Sequence, residues 1–407
     1  MPTFLAAERK LAIVMVGLPA RGKSYIARKL ARYLRWRGQD TRVFNVGSYR
    51  REIVGSQVSH DFFDPDNPEG RRERFRLAEI VLRDMLKWLG QTGQIGIYDA
   101  TNSTKDRRRW ILETCRQAGV EVVFVETLCD NPDVIDRNLR DTKLHSPDYV
   151  GVPAEEAVAD FKQRIAHYAK AYETVDDAEG MYVKLVDEGT KVIVHHIDGA
   201  VLSRIVYFLV NMRTKRRPIW LTRHGESEFN VEDRIGGDSD LSPRGHEFAR
   251  ALAGFMQTRR GKEPLTVWTS RLKRTIQTAG YLPEHPTNFR SLDEIDAGEC
   301  DGMTYTEVRK RYPDQFEARA KDKLNYRYPR GESYNDVIMR LDPIIIEMER
   351  HEHPILIVSH QGVIRALYAY LMDTPPADCP HLPVPLHTVM ELMPTAYGCS
   401  ERRFPLL

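Results

Sequence analysis

The apolar positions of this chain fall into two successive sets of short, dense runs. LAIVMVG (11–17), TRVFNVG (41–47), QIGIYDA (94–100) and VEVVFVETLC (120–129) are nearly continuous in apolar residues, the pattern of strands buried on both faces. Between the first two, GKSYIARKLARYLRWRG sets Ile26, Leu30, Tyr33 and Leu34 at helical spacing, with Arg28, Arg32 and Arg35 expected on another face. Gly38 is expected to end that helix. MYVKLVD and KVIVHHI (181–197), joined by Glu188-Gly189-Thr190, predict a hairpin at a sheet edge, with His195 and His196 structural. Strands alternating with helices predict a parallel, doubly wound sheet.

A basic stretch, NMRTKRRP (211–218), then interrupts the pattern, and it starts again. PIWLTRHGE, a helix after Ser242-Pro243, LTVWTS (265–270), a helix from about Arg271, and PILIVSH (354–360) followed by a helix from Gln361 predict a second α/β unit. The expected division is 1–212 and 213–407. ERRFPLL at the C-terminus reads as the end of the second domain and not as a long tail.

Composition narrows the class. With 42% hydrophobic and 29% charged residues over 407 positions, there is material for two cores, which excludes a disordered or fibrous chain. No apolar run approaches the roughly 20 residues needed to span a bilayer, so no membrane partner is expected. The apolar stretch near the N-terminus has no basic region ahead of it and leads into a glycine loop, so it reads as a core strand and not a signal peptide. The five cysteines are scattered without zinc spacing, and free thiols in a reducing cytoplasm are expected. Sixty basic residues against 58 acidic ones leave a formal net charge of +2. That gives no whole-chain field for nucleic acid, so any anion site must be built locally.

The first such site is Gly17-Leu18-Pro19-Ala20-Arg21-Gly22-Lys23-Ser24, which fits G-x-x-x-x-G-K-[ST] between a predicted strand and a predicted helix. Glycines let backbone N–H groups close around phosphate oxygens, and the helix N-terminus adds positive potential. Lys23 can reach the β- and γ-phosphates of a nucleoside triphosphate, and the Ser24 hydroxyl can hold Mg²⁺. Asp99 ends the strand QIGIYDA, ahead of Thr101 and Asn102. There it could bind Mg²⁺, take the proton of an acceptor hydroxyl, or simply cap the next helix. Cys129 ends the following strand and reads either as a cleft residue or as a small buried hydrophobe. Arg50, Arg51, Arg71, Arg72, Arg74, Arg107, Arg108, Lys143 and Arg164 are dense after strand ends, several of them where a phosphorylated acceptor would sit.

The second site is Leu221-Thr222-Arg223-His224-Gly225-Glu226, with a further histidine at a strand end in Ile357-Val358-Ser359-His360 and Arg274 after WTSRLK. Strand ends of a parallel sheet converge on one crevice. Two histidines, two arginines and a carboxylate there suit phosphoryl transfer without a metal: one histidine as nucleophile, the arginines on the phosphoryl oxygens, an acid on the leaving oxygen.

Taken together, the two halves resemble the bifunctional 6-phosphofructo-2-kinase/fructose-2,6-bisphosphatase family over nearly the whole chain. The N-terminal resemblance runs through GLPARGKSYIARKLARYL, YRRE (49–52), DATN (99–102), Cys129-Asp130, LHSPDY (144–149) and RIAHYA (164–169). The C-terminal one runs through RHGESEFN, RIGGDSDLS, WTSRLKRTIQTA, EIDAGE, YPRGESY and HQGVIRALYAY to PLHTV and AYGC. It implies a P-loop kinase-like doubly wound sheet followed by a histidine phosphatase, a phosphoglycerate mutase-like α/β sandwich. It also implies ATP contacts from Gly17 to Tyr25 and from Asn138 through Leu139, Arg140, Asp141 and Thr142 to Lys143. Fructose 6-phosphate would meet Arg50, Arg74, Thr101, Arg107, Lys143, Arg164 and Tyr168. Asp99 and Cys129, with Lys23 and Lys143, stand at kinase active-site positions.

In the second domain His224 matches the histidine that becomes phosphorylated and Glu294 the proton donor. Arg223, Asn230 and His360 match transition-state stabilisers, and Arg274 another phosphate clamp. Gly236, Tyr305, Arg319, Lys323, Tyr334, Gln361 and Arg365 match positions that bind fructose 2,6-bisphosphate. The resemblance implies Mg²⁺ with ATP for the kinase, no cofactor for the phosphatase, and a homodimer. Relatives often carry terminal regulatory segments. Here about ten residues precede the first strand, so control by such a segment is not expected. A kinase fused to a phosphoglycerate mutase-like phosphatase acting on another sugar or acid phosphate would share the second site, but YPRGESY and the set Tyr305, Arg319 and Lys323 favour the sugar bisphosphate. A polynucleotide end-processing enzyme would need a basic channel interleaved with aromatics. Intact Lys23, Asp99, His224 and Glu294 oppose a catalytically silent sensor.

Overall fold

The computed structural model describes residues 10–56, 58–140, 147–261, 263–395 and 398–407. The chain divides into two compact units between Met212 and Arg213. In the first unit β1 (Leu11–Val16) is buried along its whole length. Helix α1 (Lys23–Trp36) turns Ile26, Leu30, Tyr33 and Leu34 inward. Gly38, with φ +85°, ends it by donating its N–H to the Arg35 carbonyl. Arg32 departs from the expected polar face. The second half of α1 is buried from Lys29 to Leu34, on more than one side, and Arg32 is buried with it.

The unit continues through β2 (Thr41–Asn45), α2 (Val46–Ile53), a 3-10 turn at His60–Phe63, α3 (Pro68–Gln91), β3 (Ile95–Asp99), α4 (Lys105–Gln117) and β4 (Glu121–Leu128). It ends with α5 (Pro132–Asn138), α6 (Ala154–Lys170), β5 (Tyr182–Val186), β6 (Lys191–His195) and α7 (Ala200–Asn211). β2 stops at Asn45, two residues short of the apolar run, because the Asn45 side chain accepts the Ser48 N–H at 2.8 Å and starts a helix instead. The sheet order is β2-β3-β1-β4-β5-β6. All pairs are parallel except β5 with β6, the edge hairpin. Strand order changes direction beside β1, the place where open α/β sheets form a crevice at their carboxyl ends. On one face Val14, Phe44 and Tyr98 pack with Leu82, Met85 and Ile111 from α3 and α4.

The second unit runs β7 (Ile219–Arg223), α8 (Glu228–Val231), α9 (Pro243–Arg259), β8 (Thr266–Thr269), α10 (Lys273–Ala279) and β9 (Thr287–Asn288). Then follow α11 (Tyr305–Arg311), α12 (Pro313–Lys321), α13 (Tyr334–Arg350), β10 (Ile355–Ser359), α14 (Gln361–Met372), β11 (Thr388–Thr395) and β12 (Gly398–Pro405). The order is β12-β11-β7-β10-β8-β9, with β11 antiparallel to both its neighbours and the rest parallel. ERRFPLL is therefore largely an edge strand. Its residues alternate between exposed and half-buried, so no apolar run marks it, and Arg259 and Arg402 flank Glu391 to hold it in place. Trp220, Leu356 and Val358 meet Phe248, Leu252 and Met256 of α9 in the core. Ser359 pairs with Arg223, so the next residue on each strand, His360 and His224, must be neighbours. Among the described residues no helix is long and apolar enough to cross a membrane.

Candidate active sites

The glycine loop leaves β1 and enters α1 at Lys23. Gly17 has φ +136°, and a Cβ there would lie 2.5 Å from the Thr127 carbonyl oxygen of β4, so only glycine fits. Its N–H donates to the Thr101 carbonyl at 3.0 Å. Lys23, buried, bends back so that Nζ donates to the Leu18 carbonyl at 2.6 Å. Leu18, Pro19, Ser24 and Tyr25 are half-buried. Arg21 Nε donates to the Cys129 carbonyl at 2.9 Å, tying the loop to the end of β4, and Asn138 Nδ2 donates to the Ala20 carbonyl at 3.1 Å. Leu139 packs with Ala20 in a small apolar cluster with Tyr149, Ala157 and Phe161. Arg140 is exposed and paired with Asp136 and Glu155. Asp141, Thr142 and Lys143 lie outside the described residues.

Asp99 is buried at the end of β3, its Oδ2 accepting from Asn45 Nδ2 at 2.5 Å. The helix-cap reading of Asp99 is corrected, because Thr104 caps α4 by accepting the Arg107 N–H. Asn102, buried with φ +45°, donates Nδ2 to the Met15 carbonyl and latches the turn after β3 onto β1. Cys129 is buried, and burial pushes its thiol pKa up, which keeps it protonated and a poor nucleophile. Ser24 and Asp99 offer the hard oxygen donors that Mg²⁺ takes.

A cationic cluster gathers five of the predicted arginine and tyrosine positions. Tyr168 hydrogen-bonds Thr101, and its hydroxyl pKa is raised by burial against the opposing charges of Arg74, Arg164 and Arg50. Arg107, whose pKa burial lowers, senses Tyr168 and Arg74. Arg50 Nη2 lies 2.6 Å from Asp148 Oδ1 and Arg164 Nη1 3.7 Å from Asp148 Oδ2, so one carboxylate bridges two guanidinium groups. The Phe63 ring packs against the Arg164 guanidinium at 4.5 Å. Sequence reasoning missed Asp148, although it lies in LHSPDY; an acid among so many arginines was the available signal. Arg108 takes no part in this cluster: fully buried, it is bound by Glu179 and the carbonyls of Asn102, Glu173 and Thr174. Arg71 and Arg72 are exposed.

In the second unit the rings of His224 and His360 lie 5.1 Å apart. His224 Nδ1 is 2.7 Å from the Gly225 carbonyl oxygen, and Arg274 Nε donates to His224 Nε2 at 3.2 Å. A carbonyl only accepts, so the proton sits on Nδ1 and the lone pair on Nε2. Burial first, then Arg274 and Arg223, hold the His224 pKa well below the usual imidazole range. His360 Nε2 is 2.8 Å from Ser270 Oγ, the residue after β8. Arg223 Nε and His360 Nδ1 are buried without a hydrogen-bond partner. Burial brings the Arg223 pKa down to about 10. Asn230 uses its Oδ1 in a capping box with Ser227.

Glu294 Oε1 accepts N–H groups from Ile295 at 2.9 Å and Gly362 at 3.1 Å, at the first turn of α14. A Cβ on Gly362 would come within 2.8 Å of Oε1. Arg340 braces the strap that carries Glu294, donating to the carbonyls of Ser291, Asp293 and Glu294. Neither Gly362 nor Arg340 was singled out from sequence, since each acts through backbone of a segment remote in the chain.

A cavity of about 510 Å³ opens over these groups, lined by Arg223, His224, Arg274 and Glu294. The same cavity is lined by Asn230, Gly236, Tyr305, Arg319, Lys323, Tyr334, Gln361 and Arg365, every bisphosphate position expected from sequence, with Tyr326 and Tyr328 in addition. Arg319 is fixed by the hydroxyls of Tyr328 and Tyr305, Arg365 by Tyr334 and the Leu382 carbonyl. Burial, then Arg365 and Arg319, lower the Lys323 pKa to about 8.

Comparison with known proteins supplies the family. A 6-phosphofructo-2-kinase family model matches residues 3–216, and that of the histidine phosphatase superfamily (branch 1) matches 219–405. The 6-phosphofructo-2-kinase/fructose-2,6-bisphosphatase of Arabidopsis thaliana is 49% identical over 98% of this chain and 54% of its own length. The protein of the same name from Gallus gallus is 48% identical over 95% of this chain and 83% of its own length. The chain thus spans about half of the plant relative and most of the bird one. Among solved structures, a putative alpha-ribazole-5'-P phosphatase from Escherichia coli aligns with 46% of this chain and 96% of its own, at 23% identity and a TM-score of 0.42. The chain belongs to the 6-phosphofructo-2-kinase/fructose-2,6-bisphosphatase family.

Proposed function

We propose that this chain catalyses two opposed reactions: transfer of the γ-phosphoryl of MgATP to the 2-hydroxyl of fructose 6-phosphate, and hydrolysis of the resulting 2-phosphate. The observation that carries the reading is the second unit's cavity. His224, Arg223, Arg274 and Glu294 line it together with Arg319, Lys323 and Arg365, more cationic groups than one phosphate engages, so a substrate with two phosphates suits it. That arrangement supports a sugar bisphosphate over a substrate with a single phosphate.

In the phosphatase, His224 Nε2 attacks the 2-phosphoryl phosphorus, and the bond from phosphorus to fructose O2 breaks as Glu294 gives O2 a proton. Arg223 and Arg274 neutralise the charge on the phosphoryl oxygens, and Asn230 and His360 donate hydrogen bonds to them. Water then attacks the phosphohistidine, yielding its proton to Glu294, and the N–P bond breaks to release phosphate. The Gly225 carbonyl holds the His224 proton on Nδ1 throughout.

In the kinase the Gly17–Ser24 backbone cradles the nucleotide phosphates, and Lys23 swings from the Leu18 carbonyl to the β- and γ-phosphates. The Ser24 hydroxyl and Asp99 would hold Mg²⁺, which when bound screens the phosphate charge. Arg50, Arg74, Arg107 and Arg164 grip the acceptor's 6-phosphate and so orient its 2-hydroxyl. Lys143 belongs to the same proposal by resemblance, as does a homodimer. Free cysteines, four of them buried, support a reducing cytoplasmic compartment.

The test is to incubate the pure chain with MgATP and fructose 6-phosphate, and separately with fructose 2,6-bisphosphate labelled at the 2-phosphate. Formation of the bisphosphate in the first and release of labelled phosphate in the second are expected. Release of the 6-phosphate, or preference for an acid monophosphate, would overturn the assignment of the second site.

A further inference from the structure

His60, Asp61 and His167 bring three ligand atoms within 4.8 Å of one another, and among the described residues this is the one such group of three. None of them enters the reactions described above. His60 opens the 3-10 turn at His60–Phe63 and His167 lies on α6, so two elements distant in the chain supply the imidazoles. We propose that these residues form a binding site for a divalent transition-metal ion of the Zn²⁺ class.

The spacing carries the argument. Ions of this class sit about 2.0–2.1 Å from imidazole nitrogen, which places tetrahedral ligands roughly 3.3 Å apart. His60 Nδ1 and His167 Nε2 are 3.3 Å apart, and His60 Nδ1 and Asp61 Oδ1 are also 3.3 Å apart. Two edges of a tetrahedron are thus already set. The third closes by rotation of the Asp61 side chain, which is 71% exposed. Water takes the fourth position. The chemistry of the donors selects the ion: imidazole suits zinc and its neighbours, whereas Mg²⁺ prefers oxygen, so the magnesium that accompanies ATP does not fill the site.

The other ring nitrogen of His167, Nδ1, is buried without a hydrogen bond and lies 3.2 Å from Asp64 Oδ2, close enough for a small ring rotation to join them. A carboxylate behind the distal nitrogen of a metal-bound histidine fixes the ring and raises its basicity. Without an ion, the two facing imidazole nitrogens lie within hydrogen-bond distance of each other. The bound ion clips the His60–Phe63 turn to α6. Tyr168 follows His167 directly and Phe63 lies two residues past Asp61, and their rings are 5.9 Å apart, so the clip lies beside the cationic cluster without belonging to it.

The experiment titrates the full chain with Co²⁺, whose four-coordinate complexes absorb strongly in the visible, and with Zn²⁺ by calorimetry. One ion per chain is expected, with the tetrahedral Co²⁺ spectrum and displacement of Co²⁺ by Zn²⁺. The double variant His60→Asn/His167→Asn should lose both signals, and Asp64→Asn should weaken binding by about 10–100-fold. Should the double variant fail to fold, the single variant His60→Asn, at a partly exposed position, decides. Absence of binding to the wild type, or an unchanged spectrum and stoichiometry in the histidine variants, overturns the site.

Discussion

Arg274 Nε reaches His224 Nε2 across 3.2 Å, while the Gly225 carbonyl holds the ring's opposite nitrogen at 2.7 Å. One neighbour fixes the tautomer and the other sets the charge. With its pKa driven well below the ordinary imidazole value by burial and by Arg274 and Arg223, His224 stays neutral as pH falls through the usual histidine range. The Nε2 lone pair, the nucleophile of the proposed reaction, is therefore not lost to protonation in that range.

Nitrogen NMR of histidine-labelled protein should accordingly show His224 neutral and protonated at Nδ1 at about pH 6. Phosphoenzyme formation should show no acid limb near pH 6.5, the ordinary imidazole value. Replacing Arg274 by Met removes a positive neighbour, so the His224 pKa should rise. Phosphoenzyme formation should fall by about 10²–10³-fold, the usual effect of losing one oxyanion donor. An acid limb near the ordinary imidazole pKa in the wild type would contradict the assignment.

Glu294 is held by backbone rather than by a side chain, which makes Gly362 its constraint. Alanine at 362 would place a methyl 2.8 Å from Oε1 and push the carboxyl off the α14 N-terminus. A displacement of that kind costs about 10²-fold in turnover, whereas Glu294→Gln should cost about 10²–10⁴-fold. In both variants the bisphosphate should still bind, because Lys323, Arg319 and Arg365 are untouched. Full turnover in Gly362→Ala, measured as phosphate release, would mean that the acid lies elsewhere. Asp293 is bound by Arg271 and Asp296 accepts the Gly298 N–H, and neither lines the cavity.

The kinase loop should fail independently. Lys23→Met removes the ammonium proposed to meet the nucleotide and should abolish bisphosphate synthesis. Gly17→Ala forces a Cβ against the Thr127 carbonyl at φ +136°, costing on the order of 1–3 kcal/mol in strain, so synthesis and the stability of the first unit should fall together. Phosphate release by the second unit should persist in both variants. Equal loss of both activities in a folded protein would refute separate sites.

The strands that position these groups were legible because parallel strands covered on both faces leave dense apolar runs, as at β1 and β10. Motifs at their ends were legible for the same reason: a strand end in such a sheet is a fixed address. What escaped was whatever the alternation of polar and apolar residues does not encode. β12, an edge strand with Arg402 and Arg403 in it, has no apolar run to mark it as a strand, and its tie to Glu391 is seen only in the fold. Arg340 and Gly362 act on Glu294 through backbone contacts 46 and 68 residues away, and no spacing rule links such positions. Asp148 is seen as a counterion only once Arg50 and Arg164 converge on it. Arg108, one of many arginines in sequence, is a buried strut.

Lys323 gives the phosphatase a pH dependence of its own. Burial and the charges of Arg365 and Arg319 bring its pKa down to about 8, and its Nζ donates to the Pro380 carbonyl at 3.0 Å. A lysine is charged below its pKa and neutral above it. As pH rises through about 8, the free enzyme therefore loses one of the cations proposed to receive the substrate's second phosphate. The ratio kcat/KM for the bisphosphate, which reports the free enzyme, should fall on that alkaline limb while kcat at saturation changes less, since bound phosphate restores the proton. Lys323→Arg keeps its charge at all these pH values and should lose the limb. Lys323→Gln should show a raised KM at every pH and no limb near 8. An unchanged alkaline limb in both variants would place the titrating group elsewhere in the cavity.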